Sequence, residues 1–162
     1  MKIELFTQVD PRWKNETMGN NLDSIGSYGC LLTSFANLTI PTAKTPLTPA
    51  MLNVFLKLNR GCLGLAKKDC PVNQQSLIIY DVIEYLLECK VNLSFTGEPV
   101  KTRNTFYIAK FVNSTGLTHF TNIIDYTKYN DEVMIFDVLT GRKEPFKRTD
   151  LSSIYQICFP PY

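Results

Sequence analysis

No apolar run in the sequence approaches the ~20 residues that span a bilayer. The opening stretch, Met1-Lys2-Ile3-Glu4-Leu5-Phe6-Thr7-Gln8, has no h-region. The chain is therefore expected to lack a cleaved secretory signal and an integral membrane segment, and to reside in the cytoplasm. Neither sign of charge dominates: 17 basic side chains face 15 acidic ones, for a net charge of +2. Lys101, Arg103, Arg142, Lys143, Lys147 and Arg148 are scattered rather than gathered into a stripe, so nucleic acid is not an expected partner. Histidine occurs once and CxxC not at all, which excludes a Cys2His2 zinc site; neither a metal nor a cofactor is expected. Internal repeats and low-complexity segments are also missing. The 162 residues predict one domain over 1–162, a monomer able to bury about two thirds of its unfolded surface.

What is present in an odd number is cysteine: Cys30, Cys62, Cys70, Cys89 and Cys158. Cys62 and Cys70 close a short loop that an oxidising setting could bridge. In a chain retained in the cytosol they are expected to stay reduced, which leaves thiols available for chemistry.

Helical signals fill the first half. Leu31, Leu32, Phe35 and Leu38 recur on one helical face beginning at Cys30, with Pro41 as the expected stop. Thr48 reads as an N-cap with Pro49 at the first helical position, and Leu52, Phe55 and Leu56 carry a helix towards Gly61. A third helix is predicted from about Gln74 to Cys89, burying Leu77, Ile78, Val82, Ile83, Leu86 and Leu87. The stretch Asn59 to Asn73 has no periodicity and is the expected mobile loop. Beyond it, Thr105–Val112, Thr118–Tyr126, Glu132–Val138 and Ile154–Phe159 are rich in β-branched and aromatic residues. A turn near Tyr129-Asn130-Asp131 is expected to join the second and third of these strands. Helices followed by an antiparallel sheet predict an α+β domain.

Cys30 differs from the other cysteines in context, because Gly29 precedes it and a helix pattern starts at it. A thiol at a helix N-terminus meets the positive end of the macrodipole and unpaired amides, and both favour the nucleophilic thiolate. The bland alternative is a small buried hydrophobe. A thiolate nucleophile needs a proton carrier, and as the sole histidine His119 must serve any Cys–His mechanism; otherwise it is a core histidine. Asp137 follows on the next strand. His119 lies about ten residues before the centre of the turn and Asp137 about seven after it, so the two fall near each other across an antiparallel pair. Asp137 can then orient the imidazole as a third triad member does, or be only a turn residue ahead of Thr140-Gly141. Asp125 sits closer to the turn. Tyr28 either lines a groove beside Cys30 or caps the core.

These residues carry a resemblance. Gln8-x-Asp10-x-Arg12-Trp13, Gly19 and Ile25-Gly26-x-x-Gly29-Cys30-x-x-Thr33-Ser34 resemble the opening of the bacteriocin-processing (double-glycine leader) peptidase-like family of papain-fold cysteine peptidases. Thr45-Pro46 ahead of a helix, His119-Phe120 opening a strand, and Asp137 with Thr140-Gly141 after it are similar to that family too. The resemblance implies a papain-like fold: a helical lobe carrying the nucleophile, packed on an antiparallel sheet. It implies Cys30 as nucleophile, His119 as base and then acid, Asp137 as orienting carboxylate and Gln8 as side-chain donor to the oxyanion. Asp10, Arg12 and Trp13 read as structural, with Trp13 packed on the N-terminal lobe. One departure is Asp137-Val138 where the family commonly has Asp-Pro. Another is the lack of a transporter domain, which argues against cleavage of a double-glycine leader during export.

Three expectations follow for a free-standing member. The first is a peptidoglycan hydrolase of bacteriophage endolysin type, acting on stem peptides. The second is a protease, deamidase or transamidase acting on proteins. The third is a virion or binding module that keeps the fold without turnover. Presence of all four site residues argues against the third.

Overall fold

A computed structural model describes residues 4–19, 23–62, 74, 77–100, 102–113, 116–127 and 131–160. The described residues form four α-helices and one six-stranded sheet: α1 (Ile25–Tyr28), α2 (Cys30–Thr42), α3 (Pro49–Leu58), α4 (Tyr80–Leu87), β1 (Lys90–Phe95), β2 (Thr105–Val112), β3 (Thr118–Thr127), β4 (Glu132–Phe136), β5 (Lys143–Lys147) and β6 (Ser153–Cys158). The strand order is β1-β6-β2-β3-β4-β5, and every neighbouring pair is antiparallel. The fold is therefore mixed α+β.

Local chemistry accounts for the helices. Thr48 caps α3 by accepting from the Met51 amide, with Pro49 at the first turn; proline is suited to that position because its missing N–H would have no helical acceptor. Pro41 does not stop α2, which runs one residue further to Thr42. The proline forfeits the bond to the Asn37 carbonyl, but it stands in the last turn, so the helix ends directly after it, and Thr42 Oγ1 donates back to the Leu38 carbonyl at 2.8 Å. The third helix is shorter than its pattern. It begins only at Tyr80 because Ile78 pairs with Cys62 in an isolated bridge and Leu77 is exposed. Two strands, β1 and β5, are not anticipated by the alternation; both lie at sheet edges and are largely exposed. β4 ends at Phe136, so Val138 stands in the following turn.

One core joins Leu32, Phe35 and Leu38 of α2, Leu52 and Leu56 of α3 and Ile83 of α4 to Ile108, Tyr155 and Ile157 on the sheet. A second gathers Tyr107, Ala109, Phe111, Ile123, Val133, Ile135 and Ile154. Trp13 is buried, donates to the Thr7 carbonyl at 2.8 Å and packs edge-on against Phe6, as expected of a structural residue. Tyr28 is 59% exposed and so does not cap the core. Most of the predicted loop Asn59–Asn73, with Cys70 and Lys67-Lys68-Asp69, lies outside the described residues, as do Tyr129 and Asn130 of the predicted turn. Among the described residues no helix is long and apolar enough to cross a membrane.

Candidate active site

Cys30 opens α2 directly after the short helix α1, and Gly29 makes the junction. A Cβ built on Gly29 would stand 2.4 Å from the Ile25 carbonyl oxygen and 2.7 Å from its side chain. Only glycine allows the two helices to join this tightly, and Cys30, the next residue, is half-buried at the head of α2. Of the other described cysteines, Cys62 and Cys89 are buried. Burial pushes both of these thiols up, Cys89 to about 12. Cys158 pairs its sulfur with Thr105 Oγ1 at 3.9 Å.

His119 lies at the start of β3, opposite Phe111 of β2, whose ring packs edge-on against the imidazole. The β3–β4 register ends with Asn122 opposite Phe136. Continued by one step, it sets Asp137 across from Thr121, on the same face as His119 two residues away, and such diagonal pairs are within side-chain reach. His119 Nε2 and Asp137 Oδ1 are 2.8 Å apart, with both side chains buried. Cys30 lies near enough to the same imidazole to help raise its pKa. With Nε2 taken by the carboxylate, Nδ1 is the ring nitrogen left for a second partner. His119 on β3 is thus hydrogen-bonded to Asp137 just beyond β4, and it interacts electrostatically with Cys30 at the head of α2.

Asp137 is held firmly. Its Oδ1 also accepts from the Leu139 amide at 2.9 Å and its Oδ2 from Thr140 Oγ1 at 2.7 Å. Its carbonyl accepts from the amide of Gly141, whose φ of 71° lets the chain turn back. Burial works against the charged carboxylate, but the hydrogen bonds from His119, Leu139 and Thr140 outweigh it and pull the Asp137 pKa down to about 2. Burial likewise works against a charged imidazole. The hydrogen bonds to Asp137 and Cys30 prevail and raise His119 to about 9. An ionised carboxylate can only accept, so Nε2 is the donor in the His119–Asp137 bond.

Gln8 is fixed near these three side chains by hydrogen bonds of its own. Its Nε2 donates to the Gly26 carbonyl at 2.8 Å, four residues before Cys30, and its amide N–H to the Val138 carbonyl at 2.8 Å, one residue after Asp137. The side chain is 3% exposed and Oε1 has no partner. One amide proton of Gln8 thus ties its side chain to the backbone four residues before Cys30. Gln8→Ala is expected to lower turnover by about 100-fold, the usual cost of losing one oxyanion donor, with substrate KM nearly unchanged; steady-state kinetics on the variant check this.

Sequence reasoning did not single out Thr140 as a carboxylate partner, nor the hydroxyl of Thr121, which donates to the Phe136 carbonyl and ties the ends of β3 and β4 together. A hydroxyl three residues after an aspartate in a turn is the signal that would have found Thr140. Among the described residues no cluster of three or more His, Cys, Asp or Glu is placed to hold a metal ion. No protein-family model matches the chain, and no curated protein matches it either.

Proposed function

We propose that this chain is a papain-like cysteine peptidase or amidase that cleaves a peptide or amide bond through a thioester, with peptidoglycan stem peptides as substrate in the manner of a phage endolysin. The observation that carries the proposal is one imidazole hydrogen-bonded to a buried, pinned carboxylate and electrostatically coupled to a half-buried thiol at the head of a helix. The order of helices first and an antiparallel sheet second, with the thiol on a helix and the imidazole on a strand, supports the papain-like reading.

The chemistry runs through named atoms. Cys30 Sγ gives its proton to His119 Nδ1, and the thiolate attacks the carbonyl carbon. The developing oxyanion is met by the Cys30 backbone N–H, at a helix start where amides lack intrahelical acceptors, and by the second Nε2 proton of Gln8. Collapse breaks the C–N bond as the His119 imidazolium protonates the leaving amine, leaving an acyl thioester on Cys30. Water, deprotonated by the now neutral His119, then adds to the thioester and releases the acid and the Cys30 thiol. Asp137 keeps the ring oriented and stabilises its charged form throughout.

The test is incubation of the protein and of Cys30→Ala with peptidoglycan sacculi, with released muropeptides identified by mass spectrometry. Products that require Cys30 are expected and name the bond. No products, alongside Cys30 labelling that depends on His119, would move the mechanism to a polypeptide substrate. A Cys30 whose labelling ignores His119 would overturn the catalytic reading.

A further inference from the structure

We infer that Asn37 and Asn122 are positioning residues whose joined, buried side-chain amides set the register between the helix that carries Cys30 and the strand that carries His119. The inference rests on the catalytic reading above. Asn37 lies two turns along α2 from Cys30, and Asn122 lies three residues along β3 from His119. Both are buried, at 2% and 3% exposure. Asn37 Nδ2 donates to Asn122 Oδ1 at 2.9 Å, and Asn122 Nδ2 donates to the Ser34 carbonyl of α2 at 3.0 Å. The strand amide therefore grips the helix at two points one turn apart.

The same Asn37 amide also reads the N-terminal segment. Its Oδ1 accepts from the Phe6 amide at 2.6 Å and its Nδ2 donates to the Phe6 carbonyl at 3.1 Å. Phe6 precedes Gln8 by two residues, so one side chain connects the elements that bear the thiol, the imidazole and the oxyanion donor. Both side-chain protons and the side-chain oxygen of Asn37 are engaged, as a buried amide requires.

Apolar packing alone does not provide this. Leu32, Phe35 and Leu38 hold α2 in the core, but hydrophobic contact is non-directional and tolerates sliding. Directional bonds between buried polar groups, each costly to leave unpaired, permit one register. Thiol-to-imidazole transfer is sensitive to such sliding, since about 1 Å of misplacement can cost roughly 100-fold in rate. A solvent-exposed clamp would have been weakened by competition with water; this one is dry on both partners.

The experiment needs no substrate. Cys30 alkylation by iodoacetamide at neutral pH is followed by peptide mapping in the wild type, Cys30-independent controls being supplied by the other cysteine peptides. The ring resonances of His119, the sole histidine, are titrated by NMR against pH. Asn122→Leu, similar in size and unable to hydrogen-bond, is expected to cut the His119-dependent alkylation about tenfold or more while circular dichroism stays native. Its His119 midpoint should fall to that of Cys30→Ala, because the Asp137 contact remains and the Cys30 contact is lost. A folded Asn122→Leu with wild-type alkylation and midpoint, changed only in melting temperature, would overturn the inference. If Asn122→Leu does not fold, Asn122→Thr retains a hydroxyl on a residue suited to a strand. It should show a smaller loss of the same sign, and full retention of both signals would again overturn the inference. Should His119→Ala alkylate at the wild-type rate, the catalytic reading fails instead. The titration still decides the register, since it reports the Cys30–His119 contact without any turnover.

Discussion

Cys30→Ser is expected to remove turnover by a factor on the order of 10⁴ or more while the protein keeps its circular dichroism and melting temperature. His119→Ala should remove turnover to the same extent and keep native circular dichroism, but melt at a lower temperature because Asp137 loses its hydrogen-bond partner. Serine is isosteric, but its hydroxyl is far harder to deprotonate than a thiol, and nothing else among the described residues replaces the lost nucleophile. The other described thiols cannot substitute: Cys62 and Cys89 are buried, and Cys158 faces Thr105. Because nucleophile and base act as one unit, the double variant Cys30→Ala/His119→Ala should be no slower than either single one. Rates on the released-muropeptide assay check both points. Multiplicative losses in the double variant would mean that the two side chains contribute independently, contrary to a shared proton transfer.

The second large effect concerns Asp137, where orientation and charge can be separated. Asp137→Ala removes both and should lower kcat by about 100-fold or more, the scale of general acid–base assistance. Asp137→Asn keeps Oδ1 as the acceptor for His119 Nε2 and the Leu139 amide, and its new Nδ2 can donate to Thr140 Oγ1 where Oδ2 accepted. Orientation survives and the charge goes. Kinetics of Asp137→Asn at its own pH optimum should lie within about tenfold of the wild type, with the alkaline limb of the profile moved to lower pH. The sign follows from burial, which lowers the His119 pKa once its main counter-charge is gone.

The same pair makes stability depend on pH in both directions. His119 rises from an ordinary 6.5 to about 9 on folding. Its contribution is complete below pH 6.5 and is lost as pH climbs through about 9. Asp137 drops from 3.8 to about 2. Its contribution is present above pH 3.8 and is lost as pH falls through about 2. Thermal melts should therefore weaken between pH 6.5 and 9 in the wild type, and this alkaline loss should flatten in Asp137→Asn. An unchanged slope in that variant would show that other groups govern alkaline stability.

Much of this site is legible in the sequence because it depends on local signals. The Gly29-Cys30 step ahead of Leu31, Leu32, Phe35 and Leu38 marks a helix start, and Gly29 proves to be the residue whose absent side chain permits the α1–α2 junction. Counting residues from a hairpin turn suffices to bring Asp137 towards His119, since antiparallel pairing is arithmetic. The parts that escape are those decided at a distance. β1 and β5 are edge strands with mostly exposed side chains, and Pro145 within β5 breaks the usual strand signature; an edge position tolerates it because one side of the strand needs no donor. Asn37 reads as a polar interruption of an apolar helix face until Asn122 and Phe6 are seen around it. The late start of α4 follows from the Cys62–Ile78 bridge, a contact across sixteen positions that periodicity cannot register.

The thread of backbone that brings Gln8 to the carbonyl of Val138 has a consequence for when the protein becomes active. Gln8 and Asp137, the outermost of the four residues, come from opposite halves of the chain, and the bond between Gln8 and Val138 joins them across nearly its whole length. Contacts of such sequence separation form late, after the local helices and hairpins. Closing the Gln8–Val138 contact is therefore expected to be a late step in bringing the four residues together. The topology thereby assembles the four residues only as the two ends of the chain are brought together.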